Sequence, residues 1–493
     1  MTEDLKVTLP LLRGKITLQS ALEEEDDILL EQGYPEQRID FFLSLWSDRD
    51  GIEKIASYHL GLNPSQTCQI GSFAEWVHGS FDVCIPLYVS KQGQQAREKR
   101  AMIRFPLPYK LGESRNPGNV DEKLRSEAAT FIWMREHCPE VPIPQLWGFG
   151  RVGGYPLPCP YVSHQRSILI ESGYLIMDFI GQSESEEPVE MLSETWDKHR
   201  DQQEKRENLF KGLSHIILSM SQTPLPRIGS WTLDSNGVLK LSNRPLTLRL
   251  HQLENAGIPT NINRSTTYTG TESYYLDFLS CHDSRIRNQP NSITDADDGR
   301  IQMVRLMMMK ALLPHFCNKE YRTGPFFYRL TDLHPSNIFV DNQWNVKFII
   351  DLEWACSLLA ETLRPPYWLT GLAVDGLTDE HLQAFEERYE EFMNIFEKEE
   401  KRLPPINNDD SYEKYVANWN PKGLYNLFSE HICPIFTQPR QFDPESDSSK
   451  SLQLISDFWA PGAEELTAAK LKDKEYEESI SELFSKASSS KDD

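Results

Sequence analysis

Among its 493 residues the chain has no run of about 18 apolar residues and no basic-then-apolar leader. It is therefore expected neither to span a membrane nor to carry a secretory signal. Its eight cysteines, at 68, 84, 138, 159, 281, 317, 356 and 433, contain no C-x-x-C pair, and its His residues are equally scattered. That spacing argues against a zinc site or a disulfide framework and for reduced thiols in a cytoplasmic protein. Basic residues are scarce: 51 Lys and Arg face 74 Asp and Glu, a net charge of −23. Nucleic acid is excluded as a partner on that ground, because a phosphate backbone needs basic patches. An acidic field instead suits small cationic compounds, amines or quaternary ammonium compounds. The acidic runs Glu23–Asp27, Glu386-Glu387, Glu390-Glu391 and Glu397–Glu400 read first as solvated faces.

What the chain does have is concentrated between residues 329 and 355. Asp332-Leu333-His334-Pro335-Ser336-Asn337 is followed, after one short hairpin, by Ile349-Ile350-Asp351-Leu352-Glu353-Trp354. Asp332 and Asn337 stand at the D-x-x-x-x-N interval of kinase catalytic loops. The apolar runs Ile338–Val340 and Val346–Ile350 flank a polar turn at 341–345, so they can pair and return Asp351 to the side of Asn337. Phosphoryl transfer needs these three groups: a carboxylate that orients the attacking hydroxyl and takes its proton, and two hard oxygen ligands for the metal on the nucleotide phosphates. Asp332 is the candidate catalytic base; Asn337 and Asp351 are the candidate metal ligands.

The stretches Leu330–Asp341 and Phe348–Ala355 resemble the aminoglycoside phosphotransferase and choline kinase superfamily, especially its uncharacterised fungal branch. The likeness covers roughly residues 68 to 400. Leu330 stands where the family usually has His, and Thr331 where it usually has Gly. No Phe-Gly follows Asp351 and no Ala-Pro-Glu follows later, which distinguishes the chain from a protein kinase. The resemblance implies an α+β, two-lobed protein-kinase-like fold, with a small β-rich nucleotide lobe and a larger, mainly helical lobe. It also implies ATP or GTP and Mg²⁺ as cofactors and a small-molecule hydroxyl as acceptor.

A nucleotide lobe must supply a phosphate-covering turn, a cation and a carboxylate that positions the cation. Gly79-Ser80-Phe81 resembles the family's phosphate loop, with Gly71-Ser72-Phe73 as a second candidate. Arg104, the one cation on the apolar strand Ala101–Pro108, takes the place of the usual Lys and can fork onto phosphate oxygens. Residues 121–137 have helical periodicity, with Glu127 beside the apolar stripe as the expected partner of Arg104 and with Glu122 and Glu136 solvated. By resemblance, the backbone from Met177 to Phe179 is the interlobe hinge that would bond the purine.

The resulting division is 1–66 as an extension and helical cap, 67–181 as the nucleotide lobe, 182–436 as the catalytic lobe, and 437–493 as a last helix and tail. Residues 227–300 read as an irregular insertion shaping the acceptor pocket, and a helix from about Gln302 to Cys317 is expected under the catalytic loop. Tyr367 and Trp368 read as core aromatics, and Thr378–Phe396 as an amphipathic helix with Thr378 as its cap. Two functions are consistent with this pattern: a small-molecule phosphotransferase, and a kinase-like binding or scaffold module without turnover.

Overall fold

The computed structural model describes residues 7–24, 26–91, 98–151, 155–157, 172–181, 188–317, 319, 321–359, 365–372, 379–402 and 463–489. The chain opens with an antiparallel hairpin of β1 (Thr8–Pro10) and β2 (Lys15–Thr17), then α1 (Leu18–Glu23) and α2 (Ile28–Gln32). Thr17 and Asp27 cap these helices by accepting from the N–H groups of Ser20 and Leu30. Helices α3 (Tyr34–Ser47) and α4 (Arg49–His59) follow.

The first lobe is a seven-stranded sheet: β3 (Gln66–Ile70), β4 (Val77–His78), β5 (Asp82–Lys91) and β6 (Glu98–Pro106), then α5 (Asn119–His137) and β7 (Leu146–Arg151), β8 (Tyr155–Leu157) and β9 (Tyr174–Asp178). Its order is β3-β5-β6-β9-β7-β8, with β4 on β5 and every pairing antiparallel. Both faces are covered, which explains the near-continuous apolar run of β9. Tyr174 and Ile176 join Leu45, Ile52 and Ile55 of α3 and α4 on one face, while Leu175 and Met177 join Leu124, Ala128 and Phe131 of α5 on the other. Helices α3 and α4 thus pack on one face of this sheet.

The second lobe is mainly helical. It comprises β10 (Glu190–Met191), α6 (Leu192–His199), α7 (Gln203–Ser221), β11 (Pro224–Leu225), a hairpin of β12 (Ser230–Leu233) and β13 (Leu239–Asn243), α8 (Leu248–Asn255), α9 (Thr271–Asn288) and α10 (Ala296–Phe316). After these come β14 (Phe326–Leu330), β15 (Ile338–Val340), β16 (Val346–Ile349), β17 (Ala355–Leu359) and α11 (Asp379–Glu400), and finally α12 (Ala463–Lys472) and α13 (Glu475–Ser489). The architecture is thus the two-lobed α+β arrangement expected, a β-rich lobe followed by a mainly helical one. No helix among the described residues is long and apolar enough to cross a membrane, and no disulfide joins the cysteines within them.

Four expectations are corrected. Residues 227–300 are not irregular, because they form the β12–β13 hairpin, α8 and α9. The helix near 302–317 exists, but Met303 and Leu306 of α10 are buried with Leu279 and Ile286 of α9 and Ala463 of α12, not beneath the catalytic loop. That place belongs to α7, whose stripe Leu209, Leu213, Ile216 and Met220 lies in the main core with Ile338 and Ile349. Gly212 permits the approach, since a Cβ there would stand 2.7 Å from Val346 Cγ2. The extension and the last helix do not stand apart as separate segments: Leu9, Ile16, Ala21 and Ile28 share a small core with Ile480 and Phe484 of α13, and the Ile28 N–H donates to the Tyr476 hydroxyl at 2.9 Å. Glu122 is buried, because Arg244, Arg264 and Asn243, all remote in sequence, converge on its carboxylate. Thr378 and the Pro- and Asn-rich stretch from 403 lie outside the described residues.

Candidate active site

Two antiparallel strand pairs build the centre, a hairpin and a pair that encloses it in sequence. β15 pairs with β16 so that Ile338 faces Ile349, and the Ile350 N–H donates to the Asn337 carbonyl at 3.0 Å. The turn between them is closed by Asp341, whose Oδ1 accepts from the N–H groups of Gln343 and Asn345, both at 2.9 Å. β14 pairs with β17 so that Leu330 faces Ala355. The loop carrying Asp332 runs from β14 to β15 and the loop carrying Asp351 from β16 to β17, so the two loops lie side by side. Thr331 fastens them, because its N–H and its hydroxyl both donate to the Trp354 carbonyl, at 3.0 and 2.6 Å.

Within the first loop His334 accepts from the Ser336 N–H at 3.4 Å at the start of a short 3₁₀ turn, Pro335–Asn337. The Asn337 amide nitrogen donates to the Asp332 carbonyl at 2.9 Å, which fixes the loop's curvature. The Asp332 carboxyl is pushed up to about 6 from an ordinary 3.8, first by burial and then by the charge of Asp351, against a bond from Asn337. Were Asp332 the proton acceptor of a reaction, it would have to be ionised, and turnover would rise about tenfold per pH unit up to pH ~6 and level above it. A pH–rate profile flat from 4.5 to 8 would contradict this. The same shift makes ionised Asp332 unfavourable to the fold: its contribution to stability is complete below pH 3.8 and is lost as pH rises through about 6.

Asp351 occupies the left-handed region at φ 57°, which Asp tolerates better than most residues, and its side chain remains 31% exposed. Its Oδ1 is 2.8 Å from Arg104 Nη2. Arg104, on the central strand β6, is buried; Nη2 also meets Asp82 Oδ2 at 2.9 Å and Glu353 Oε2 at 3.0 Å, and Nη1 meets Glu127 Oε1 at 3.0 Å. A second cation, Lys123, lies fully buried with Nζ 2.9 Å from Asp82, 3.2 Å from Glu353 and 3.5 Å from Glu127. Burial works to raise Asp82, but Lys123 and Arg104 outweigh it and hold that carboxyl low. Burial dominates at Glu127 and Glu353, and both carboxyls are raised despite Arg104 and Lys123. Three buried carboxylates against two cations leave a negative excess even before Asp351 is counted, and a proton on Glu127 or Glu353 relieves it.

The turn Gly79-Ser80-Phe81 joins β4 to β5 and is closed by the Gly79 N–H donating to the Asp82 carbonyl at 2.9 Å. The Phe81 ring lies edge-on to Trp354, with centroids 5.4 Å apart. The alternative Gly71-Ser72-Phe73 begins a 3₁₀ turn and packs Phe73 on Trp46 and Trp76 instead. Met177 sits inside the sheet, facing Met102 on one side and Leu146 on the other; Phe179 follows the strand end, half-buried. Between them, the Asp178 N–H donates to the Gln145 carbonyl at 3.0 Å.

Sequence reasoning missed Lys123, Asp82 and Glu353. The spacing Lys123-x-x-x-Glu127 puts both on one helix face and was the available signal. Of the aromatic pair, Trp368 is core, donating from Nε1 to the Leu333 carbonyl at 2.8 Å, whereas Tyr367 is 40% exposed and its phenol is raised by burial and then by Asp332. The 227–300 segment buttresses α5: Arg244 bridges Glu122 and Glu254, and His251 of α8 lies edge-on to Trp354 with centroids 5.1 Å apart.

No protein-family model matches the chain, and no curated protein matches it in sequence. Among solved structures it is similar to the gentamicin complex of APH(2")-IIa, with 10% identity over 70% of this chain and 84% of that one and a TM-score of 0.37. It is also similar to a macrolide 2'-phosphotransferase type I, with 12% identity over 84% and 92% and a TM-score of 0.33. A Plasmodium vivax ethanolamine kinase aligns at 12% identity over 84% and 86%, with a TM-score of 0.30.

Proposed function

We propose that the protein transfers the γ-phosphoryl group of ATP or GTP, with Mg²⁺, to a hydroxyl of a small molecule. The observation that carries this reading is the juxtaposition of the Asp332 loop and the Asp351 loop, with Arg104 bonded to both Asp351 and Glu127. Asp332 would orient the acceptor hydroxyl and take its proton as the oxygen bonds to the γ-phosphorus and the nucleoside diphosphate departs. Arg104, aimed by Glu127, would hold nucleotide phosphates beneath the Gly79-Ser80-Phe81 turn, with the backbone from Met177 to Phe179 at the purine. Asn337 and Asp351 suit Mg²⁺, which takes one or two protein oxygens and draws its remaining ligands from phosphate and water. The bound metal would supply charge neutralisation on the phosphates.

For the acceptor, the net charge of −23 and the exposed Tyr367 near Asp332 favour an amine or quaternary ammonium compound, held by the aromatic face. The reading without turnover is favoured by one feature: Arg104 is already saturated with carboxylates.

A thermal-shift titration tests both. Mg²⁺ with ATP or GTP at about a hundredfold over the dissociation constant is expected to stabilise the protein by about 2.7 kcal/mol. Asp351→Asn is expected to abolish the Mg²⁺-dependent part. No shift with either nucleotide would remove the phosphotransferase reading.

A further inference from the structure

We propose that Lys123 is a positioning residue of the nucleotide site, clamping Asp82 and Glu353 so that Arg104 can exchange its bond to Asp351 for a nucleotide phosphate. This rests on the phosphotransferase reading and extends it to a residue with no place in the motif.

Arg104 Nη2 holds three carboxylates at 2.8–3.0 Å, those of Asp82, Asp351 and Glu353. Only Asp351 is at the rim, 31% exposed, against 5% for Asp82 and 4% for Glu353. Asp351 is thus the carboxylate that a phosphate arriving from the cleft would displace, and its freed oxygens would be available to Mg²⁺. Once that bond is gone, the guanidinium is aimed by Glu127 through Nη1 and by Asp82 and Glu353 through Nη2; Arg104 Nε has no hydrogen-bond partner among the described residues. Lys123 grips both Nη2 partners, with Nζ 3.0 and 2.9 Å from the two Asp82 oxygens and 3.2 Å from Glu353. Its side chain is fully buried, so it acts through these carboxylates and does not itself meet the ligand. Asp82 directly follows the Gly79-Ser80-Phe81 turn, so the same ammonium also ties that turn to α5. Without Lys123, three buried carboxylates crowd one guanidinium and repel each other, and the fork loses its aim.

The test is equilibrium binding of Mg²⁺-ATP, with the melting temperature measured alongside. Lys123→Met leaves a buried negative charge in excess and can unfold the lobe, so the informative variant is the charge-matched double, Lys123→Met with Glu353→Gln, compared with Glu353→Gln alone. The expected result is a melting temperature close to that of the unaltered protein, whose buried charge balance the double keeps, and a dissociation constant at least roughly tenfold higher than that of Glu353→Gln alone, as for removal of one partner in a buried charge pair. A merely structural lysine would move the two readouts together. Affinity within about twofold of Glu353→Gln alone overturns the role of Lys123 while the phosphotransferase reading stands. Absence of Mg²⁺-dependent ATP binding by the unaltered protein removes that reading and this inference with it.

Discussion

Asp332→Asn is expected to lower turnover by about two to four orders of magnitude, the usual worth of a positioned proton acceptor, while leaving nucleotide affinity nearly unchanged. Asparagine keeps the size of the side chain and removes only its capacity to take the acceptor's proton. Asn337 donates to the Asp332 backbone carbonyl as well as acting on its carboxyl, and the backbone bond survives the substitution, so the loop keeps its shape in the variant. The measurement is nucleoside diphosphate formation with an accepted hydroxyl compound, beside nucleotide binding by the same preparation. A loss smaller than about tenfold would transfer the assignment elsewhere, because positioning alone can account for that much.

Arg104→Met should have the largest effect on stability, about 3 to 5 kcal/mol, because it removes the cation common to four carboxylates. Exposed ion pairs are worth about 0 to 1 kcal/mol, so denaturant unfolding without nucleotide separates the two cases. The effect should depend on pH. Glu127 and Glu353 are raised in the fold, so their contribution to stability is complete below the ordinary value of 4.5 and is lost as pH rises through their raised values. With Arg104 gone they rise further, and the gap between variant and parent is expected to widen from pH 5 to pH 8. A gap that narrows with rising pH would mean these carboxyls are not the ones that Arg104 neutralises.

The ionic centre joins the lobes in a way that bears on both results. Glu353 lies 249 positions from Arg104 yet bonds it at 3.0 Å. Glu122 makes a comparable buried connection to Arg244 across 122 positions. α5 thus carries two buried charge centres on one helix, Lys123 and Glu127 toward the Gly79-Ser80-Phe81 turn and Glu122 toward β13 and α8. Burying this much charge is expensive unless each group finds its partners, which makes the helix intolerant of single charge deletions.

Asp332, Asn337 and Asp351 were legible because their chemistry is local. A five-residue interval and one hairpin place them, and period-two apolar runs announce the strands that do so. Glu127 was legible from helical periodicity, which puts it on the buried face of residues 121–137. Lys123, Asp82 and Glu353 were not, since a charged side chain beside an apolar stripe is ordinarily solvated. Glu122 was misread for the same reason. Nor could the sequence reveal that α10 packs on α9 and α12, or that Tyr476, Ile480 and Phe484 close over the first hairpin. Those contacts join amphipathic faces whose partners lie across the whole length of the chain.

By itself, then, the amino-acid sequence determined the interval between Asp332 and Asn337, the hairpin that returns Asp351 to their side, and the strand that carries Arg104, all of which rest on spacings of a few residues. Only the tertiary structure decided which charges lie in the interior. Burial of a charge becomes favourable once counter-charges from distant segments surround it, and that condition belongs to the assembled fold and not to any stretch of the chain.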